Sequence, residues 1–135
     1  MDKPDAVKTF FWLLQMTTEV APAYLALLIL PIVAFRFQGG AAAIRATIAV
    51  ILAHVGPLLM LLMGASLFGQ GRSHAWLSVV QTAVAVAGVW LVVRFTKRLR
   101  SDMPRWVFVL FFVGVGIITV FAWFIGGMAL VDDWV

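Results

Sequence analysis

Four polar side chains interrupt long apolar stretches of this sequence and are the residues best suited to chemistry. They are Glu19, His54, Gln81 and Thr119. A carboxylate or an imidazole among apolar residues is costly unless it is paired or hydrated, so it is a candidate functional group by default. We therefore predict that these four side chains bind a ligand or an ion. The structural alternative stays open, in which Glu19 is interfacial and His54 is a hydrogen-bonded neutral ring.

Two prolines accompany the ionisable pair. Pro22 follows Glu19 by three residues, and Pro57 follows His54 by three. Each proline lacks the N–H that would bond the carbonyl four residues earlier. Broken helix turns beside ionisable groups recur at transporter binding sites, although prolines also simply kink membrane helices.

A second set of candidates is basic and flanks the apolar stretches. Its members are Arg45, Arg94, Lys97, Arg98 and Arg100. Basic clusters at membrane boundaries contact anionic lipid headgroups, and we predict that role here. Nucleic acid is a poor fit for so short a basic segment.

The sequence gives no strong signal for a cofactor, a metal or a catalytic centre. It contains no cysteine and two histidines, His54 and His74. Disulfides and thiolate metal sites are therefore excluded, and two histidines near different depths do not suit a haem within one chain. The nucleophile and base that an enzyme needs are not visible as a constellation. We predict no catalytic activity for the chain on its own, and the enzyme question stays open.

The elements that must position these residues are membrane helices. The 135 residues are 64% hydrophobic and 12% charged, with a mean hydropathy of +1.06. Soluble domains are about half apolar and a quarter charged. Four stretches reach the roughly 20 apolar residues that a spanning helix needs. They cover about 16–35, 46–64, 75–93 and 106–127.

Short connections between these stretches predict an all-α fold of four antiparallel transmembrane helices in a single domain, 1–135. Seven of the ten basic residues fall in the first and third connections or beside them. Basic loops stay in the cytoplasm, so we expect both termini outside. We expect the bacterial inner (plasma) membrane, and no cleaved signal peptide because the first apolar run is short.

Depths along the helices follow from the rise of 1.5 Å per residue. Counted from the nearest cytoplasmic arginine, Glu19, Gln81 and Thr119 lie about 20–25 Å up their spans. His54 lies about 13 Å up from Arg45. This predicts a polar layer of three residues in the outer part of the membrane, above His54.

A chain of four short spans has little room for an internal binding site, so we expect it to function as part of a larger assembly. Our first hypothesis is an accessory or structural subunit of a multi-subunit membrane complex for electron transfer or transport, contributing to a quinone or lipid site. The alternative is a homo-oligomeric transporter or channel with a pathway through Glu19 and His54. The expected partners are membrane lipids and other membrane subunits, or further copies of the chain.

Overall fold

The computed structural model describes residues 5–35, 40–68, 74–97 and 104–131, which are helical almost throughout. No strand occurs within these ranges, so the predicted all-helical class is confirmed. The five helices are α1 (Ala6–Thr18), α2 (Ala21–Phe35), α3 (Gly40–Leu67), α4 (Leu77–Thr96) and α5 (Arg105–Val131).

Three helices are long and apolar enough to cross a membrane. They are α3, α4 and α5, with mean hydropathies of 2.2, 1.8 and 2.6 in their most apolar windows. The helices α1 and α2 qualify only as a pair, and they are bent by 75° with respect to each other. The chain is therefore a helical bundle compatible with an integral membrane protein. It has three candidate spans, or four if the bent pair counts as one.

The first predicted span, 16–35, is interrupted. Pro22 has no N–H to donate to the carbonyl of Thr18, so a continuous helix would lose that bond. A tighter turn closes α1 instead, in which the Glu19 N–H donates to the Met16 carbonyl at 3.3 Å. The apolar stretch is continuous in sequence, but its backbone changes direction at Glu19.

The start of α1 has its own cap. The Asp5 carboxylate accepts a hydrogen bond from the Val7 N–H at 3.0 Å, which satisfies one of the free donors at the helix N-terminus. The buried face of α1 consists of Thr9, Leu13 and Thr17. This face packs against α3 and α5, which makes α1 part of the bundle and not a free tail.

Two apolar clusters hold the helices together. The larger one joins α2, α3, α4 and α5, and its centre includes Leu28, Phe35, Ala53 and Phe111. The smaller one joins α1 to the C-terminal halves of α3 and α5; its residues are Leu13, Met60, Leu61, Ala65, Ala122, Ile125 and Ala129. Among the described hydrophobic residues of α4, only the partly buried Val84 and Ala85 pack against the second cluster.

Candidate functional site

Gln81, on α4, is the most deeply buried of the predicted polar residues. Its side chain is fully buried, and neither Oε1 nor Nε2 has a hydrogen-bond partner in the described part of the chain. A buried amide left unpaired costs about 1–3 kcal/mol of stability. Packing alone therefore does not explain why a glutamine occupies this position.

Glycines of α3 and α5 provide the space for this amide. A Cβ atom at Gly126 would overlap Nε2 of Gln81 and would lie 2.9 Å from the carbonyl oxygen of Met60. A Cβ atom at Gly64 would lie 2.9 Å from the carbonyl oxygen of Gly126. The backbones of α3 and α5 thus approach each other directly, as small residues allow in membrane helices. The Gln81 amide lies beside this crossing.

His54, on α3, is half-buried and has a fixed orientation. Its Nδ1 lies 2.8 Å from the carbonyl oxygen of Val50. A carbonyl only accepts, so in the neutral ring Nδ1 carries the proton and Nε2 keeps its lone pair. The ring of Tyr24 on α2 lies against the imidazole, with 5.9 Å between ring centroids. The histidine is thus directed at the α2–α3 interface.

Thr119, on α5, faces α4. It lines a groove of about 380 Å³ together with Ala85, Val86, Val89 and Trp90. We name this feature the Trp90 groove. Its lining is apolar apart from Thr119.

Glu19 occupies the corner between α1 and α2, and its side chain is exposed. Within the described ranges, no hydrogen bond joins it to His54, Gln81 or Thr119. The four predicted residues thus lie in four different places. Glu19 is at the corner between α1 and α2, His54 is at the α2–α3 interface, Gln81 is beside the crossing of α3 and α5, and Thr119 is in the Trp90 groove. The structure does not bring them into one shared cavity.

The predicted outer layer is not level. Gln81 faces Gly126, while Thr119 lies about 10 Å further along α5 toward its N-terminus. The chains of α4 and α5 run antiparallel, so Arg94 comes level with about Val113, roughly 12 Å from Arg105. The depth prediction assumed that Arg94 and Arg105 both lie at the cytoplasmic boundary of the membrane, at the same level. The helices are staggered instead, so that reference was wrong.

The basic candidates differ in their surroundings. Arg45 lies inside α3, near its N-terminus, and is exposed. Arg94 lies in the last turn of α4, and its guanidinium carbon is 5.1 Å from the centroid of the Trp90 ring. Lys97 follows α4 and is exposed. Arg98 and Arg100 lie outside the described residues.

Comparison with protein-family models, with curated proteins and with solved structures finds no match. Interpretation of the site therefore depends on geometry. Among the described residues, no group of three metal-binding side chains comes together.

Of the three helices that are long enough to span a membrane, α4 is the least covered by the rest of the described bundle. Only 11% of its most apolar window is buried, against 44% for α3 and 39% for α5. A second groove, of about 230 Å³, runs between α3 and α4; its lining consists of Val55, Gly56, Leu59, Val84, Ala87, Gly88 and Leu91. The floor of this groove is the contact of Gly56 with Gly88, where a Cβ on Gly88 would lie 3.3 Å from the Gly56 Cα.

Several relevant residues were missed by the sequence reasoning. Tyr24 beside His54 carries no local signal, because the contact joins two helices. The bond from Trp123 Nε1 to Thr82 Oγ1, 3.0 Å long, is equally non-local. Trp90 could have been found, since it precedes Arg94 by four residues and such pairs meet on a helix surface.

Proposed function

We propose that this chain is a small accessory subunit of a multi-subunit membrane complex, electron-transfer or transport, and that it binds its partner through α4. The observation that carries the proposal is the low burial of α4 among otherwise well-packed spans. Because most of the surface of α4 is not packed against its own bundle, it can pack against a helix of another protein. The two grooves beside it are shallow and nearly free of polar groups, which suits packing better than chemistry.

The composition of the exposed surface supports a protein neighbour for α4. Exposed positions on α3 include Ile51, Leu58 and Leu62, which are large aliphatic side chains suited to lipid. Ala83 and Ala87 are exposed on α4 between larger exposed side chains such as Val79 and Leu91. Gly88 adjoins Ala87 in the groove between α3 and α4. Small residues permit close approach of a second helix, which is the main source of association between helices in lipid.

Purification in a mild detergent, followed by mass measurement, tests this function. We expect the wild-type chain to carry an unrelated membrane protein in a fixed ratio. Ala87→Leu should remove that protein, because a large side chain would fill the groove between α3 and α4. Val120→Leu, on the exposed face of α5, is the matched control and should retain it. A wild-type chain that runs as a monomer would contradict the proposal.

The topology that we propose has four spans, in which α2 crosses the membrane as the first span and α1, bent by 75° from it, lies along the outer membrane surface. Both termini then lie outside the bacterial inner membrane, and the basic connections lie in the cytoplasm. A reporter active only in the cytoplasm, fused after Val135, should be silent under this topology. A topology of three spans with the N-terminus outside would place the reporter in the cytoplasm and make it active.

A homo-oligomeric transporter is the second candidate, and one observation favours it. The corner between α1 and α2 is a bent helix pair with a carboxylate at the bend, and discontinuous helices of this kind hold substrates in transporters. Under this function, Glu19→Gln should abolish or alter ion flux in proteoliposomes. Glu19→Gln with wild-type flux would exclude a transport role for the carboxylate, and a self-oligomer on purification would favour this function over the first.

A further inference from the structure

The Trp90 groove has a positive charge fixed at one end. Arg94 follows Trp90 by one helical turn, and its guanidinium group lies over the indole ring at 5.1 Å. Contact with the ring face restrains the arginine along the helix surface. Lys97 is exposed three residues further on. Within the described ranges, neither side chain forms a salt bridge.

The rest of the groove is apolar and open to the outside of the bundle. Its walls are Ala85, Val86 and Val89 of α4 and Thr119 of α5. Trp90 itself is 56% exposed, so its ring forms one edge of the groove and is not part of the core. The surface therefore offers an open apolar groove with a cation near one end.

The groove is long enough for the upper part of a chain molecule. Its lining on α4 runs from Ala85 to Trp90, about 8 Å along the helix axis, and Arg94 lies about 6 Å beyond Trp90. Together this is about half of the roughly 30 Å hydrocarbon core of a bilayer. The first part of an acyl chain that begins near Arg94 would lie in the groove.

We propose that the Trp90 groove is a binding site for one anionic phospholipid. The phosphate pairs with Arg94 and Lys97, and one acyl chain lies between α4 and α5 along Val86, Val89 and Trp90. Charge complementarity decides for a lipid over a second helix. An apolar helix would leave the two cations unpaired, whereas a phosphate satisfies them in the geometry that guanidinium prefers.

The proposal depends on membrane embedding alone and not on the partner-binding role of α4. The Trp90 groove lies on the α5 side of α4, whereas the groove with Gly56 and Gly88 lies on its α3 side. The two tests use different substitutions, Arg94→Gln and Trp90→Leu for the lipid and Ala87→Leu for the partner. Failure of one proposal can therefore be distinguished from failure of the other.

Native mass spectrometry of the detergent-solubilised full chain, titrated with phosphatidylglycerol or phosphatidylcholine, tests the site. We expect one phosphatidylglycerol to bind about tenfold more tightly than phosphatidylcholine, equivalent to about 1.4 kcal/mol. Arg94→Gln should remove this preference. Arg105→Gln, an exposed arginine at the start of α5, should change it less than twofold. Equal affinity for the two lipids, or equal loss in both variants, would overturn the proposal.

A fluorescence measurement locates the acyl chain independently of the arginine variants. Phosphatidylglycerol with brominated chains should quench part of the tryptophan emission at low lipid content. Trp90→Leu should lose that component, whereas Trp106→Leu, similarly exposed at 61%, should keep it. A component retained in Trp90→Leu, or competition by glycerol phosphate as strong as by the intact lipid, would show that the groove is not involved.

Discussion

At the scale of single residues, the Gln81 amide is the feature that packing explains least. Its atoms lie between the backbones of α4 and α5 with no partner in the described ranges. A side chain that costs stability and is nevertheless present is often kept for function. Substitution can separate a functional amide from a structural one.

Gln81→Leu keeps nearly the same volume and removes both unpaired groups. We expect it to stabilise the folded chain by about 1–3 kcal/mol, because no protein hydrogen bond is lost. The measurement is the thermal or denaturant unfolding midpoint in detergent. A lower midpoint than that of the wild type would mean that the amide is bonded, for instance to an internal water.

Gly126→Ala tests the crossing of α3 and α5 in the same assay. The new Cβ would meet the carbonyl of Met60 and the amide of Gln81, and overpacking of this kind costs about 1–3 kcal/mol. Gly116→Ala is the matched control on the same helix, since nothing lies within 4 Å of its Cβ position. There the loss of glycine flexibility should be neutral or stabilising, by up to about 1 kcal/mol. Equal midpoints for both variants would contradict the close approach.

At the scale of helices, α1 differs from the others because its exposed surface has two characters. The cap residue Asp5 and Lys8 are exposed on one flank together with the indole of Trp12, whereas Val7 and Phe11 are exposed on the other. Between the flanks, the buried face contacts the bundle. A helix with this division lies most favourably along the membrane surface, with one flank in water and the other in lipid.

Cysteine labelling tests the placement of α1, since the chain has no cysteine of its own. Lys8→Cys in sealed membranes should react with a water-soluble maleimide. Val7→Cys, the adjacent residue on the apolar flank, should react several times more slowly because its thiol faces lipid. Protection of both positions would instead place α1 inside the membrane with α2.

The predicted apolar stretches overlap α3, α4 and α5, although α3 begins six residues before the stretch 46–64. Long apolar runs in a membrane protein have few alternatives to a helix. Pro22 indicated a weakened helix turn beside Glu19, but the 75° change of direction was not predicted because hydropathy does not register the direction of the backbone. The relative depths failed because arginine side chains can extend to the boundary from different levels. The environment of Gln81 depends on glycines in two distant helices, which no local pattern connects.

At the scale of the whole molecule, the bundle is asymmetric. One side is closed by α1, α2, α3 and α5, while α4 is attached mainly through one face. The exposed side of α4 has small residues toward α3 and a tryptophan–arginine pair toward α5. We propose that the first surface binds a protein partner and that the second binds a lipid.

Site-directed crosslinking in native membranes tests the central claim, that the exposed face of α4 with Ala83 and Ala87 contacts a protein partner. A short photoreactive maleimide is attached to Ala83→Cys, or to Ile51→Cys on the exposed face of α3, each as the only cysteine. The account predicts one discrete adduct with a different membrane protein from position 83 and none from position 51. Absence of a protein adduct at position 83, or the same adducts at both positions, would contradict it.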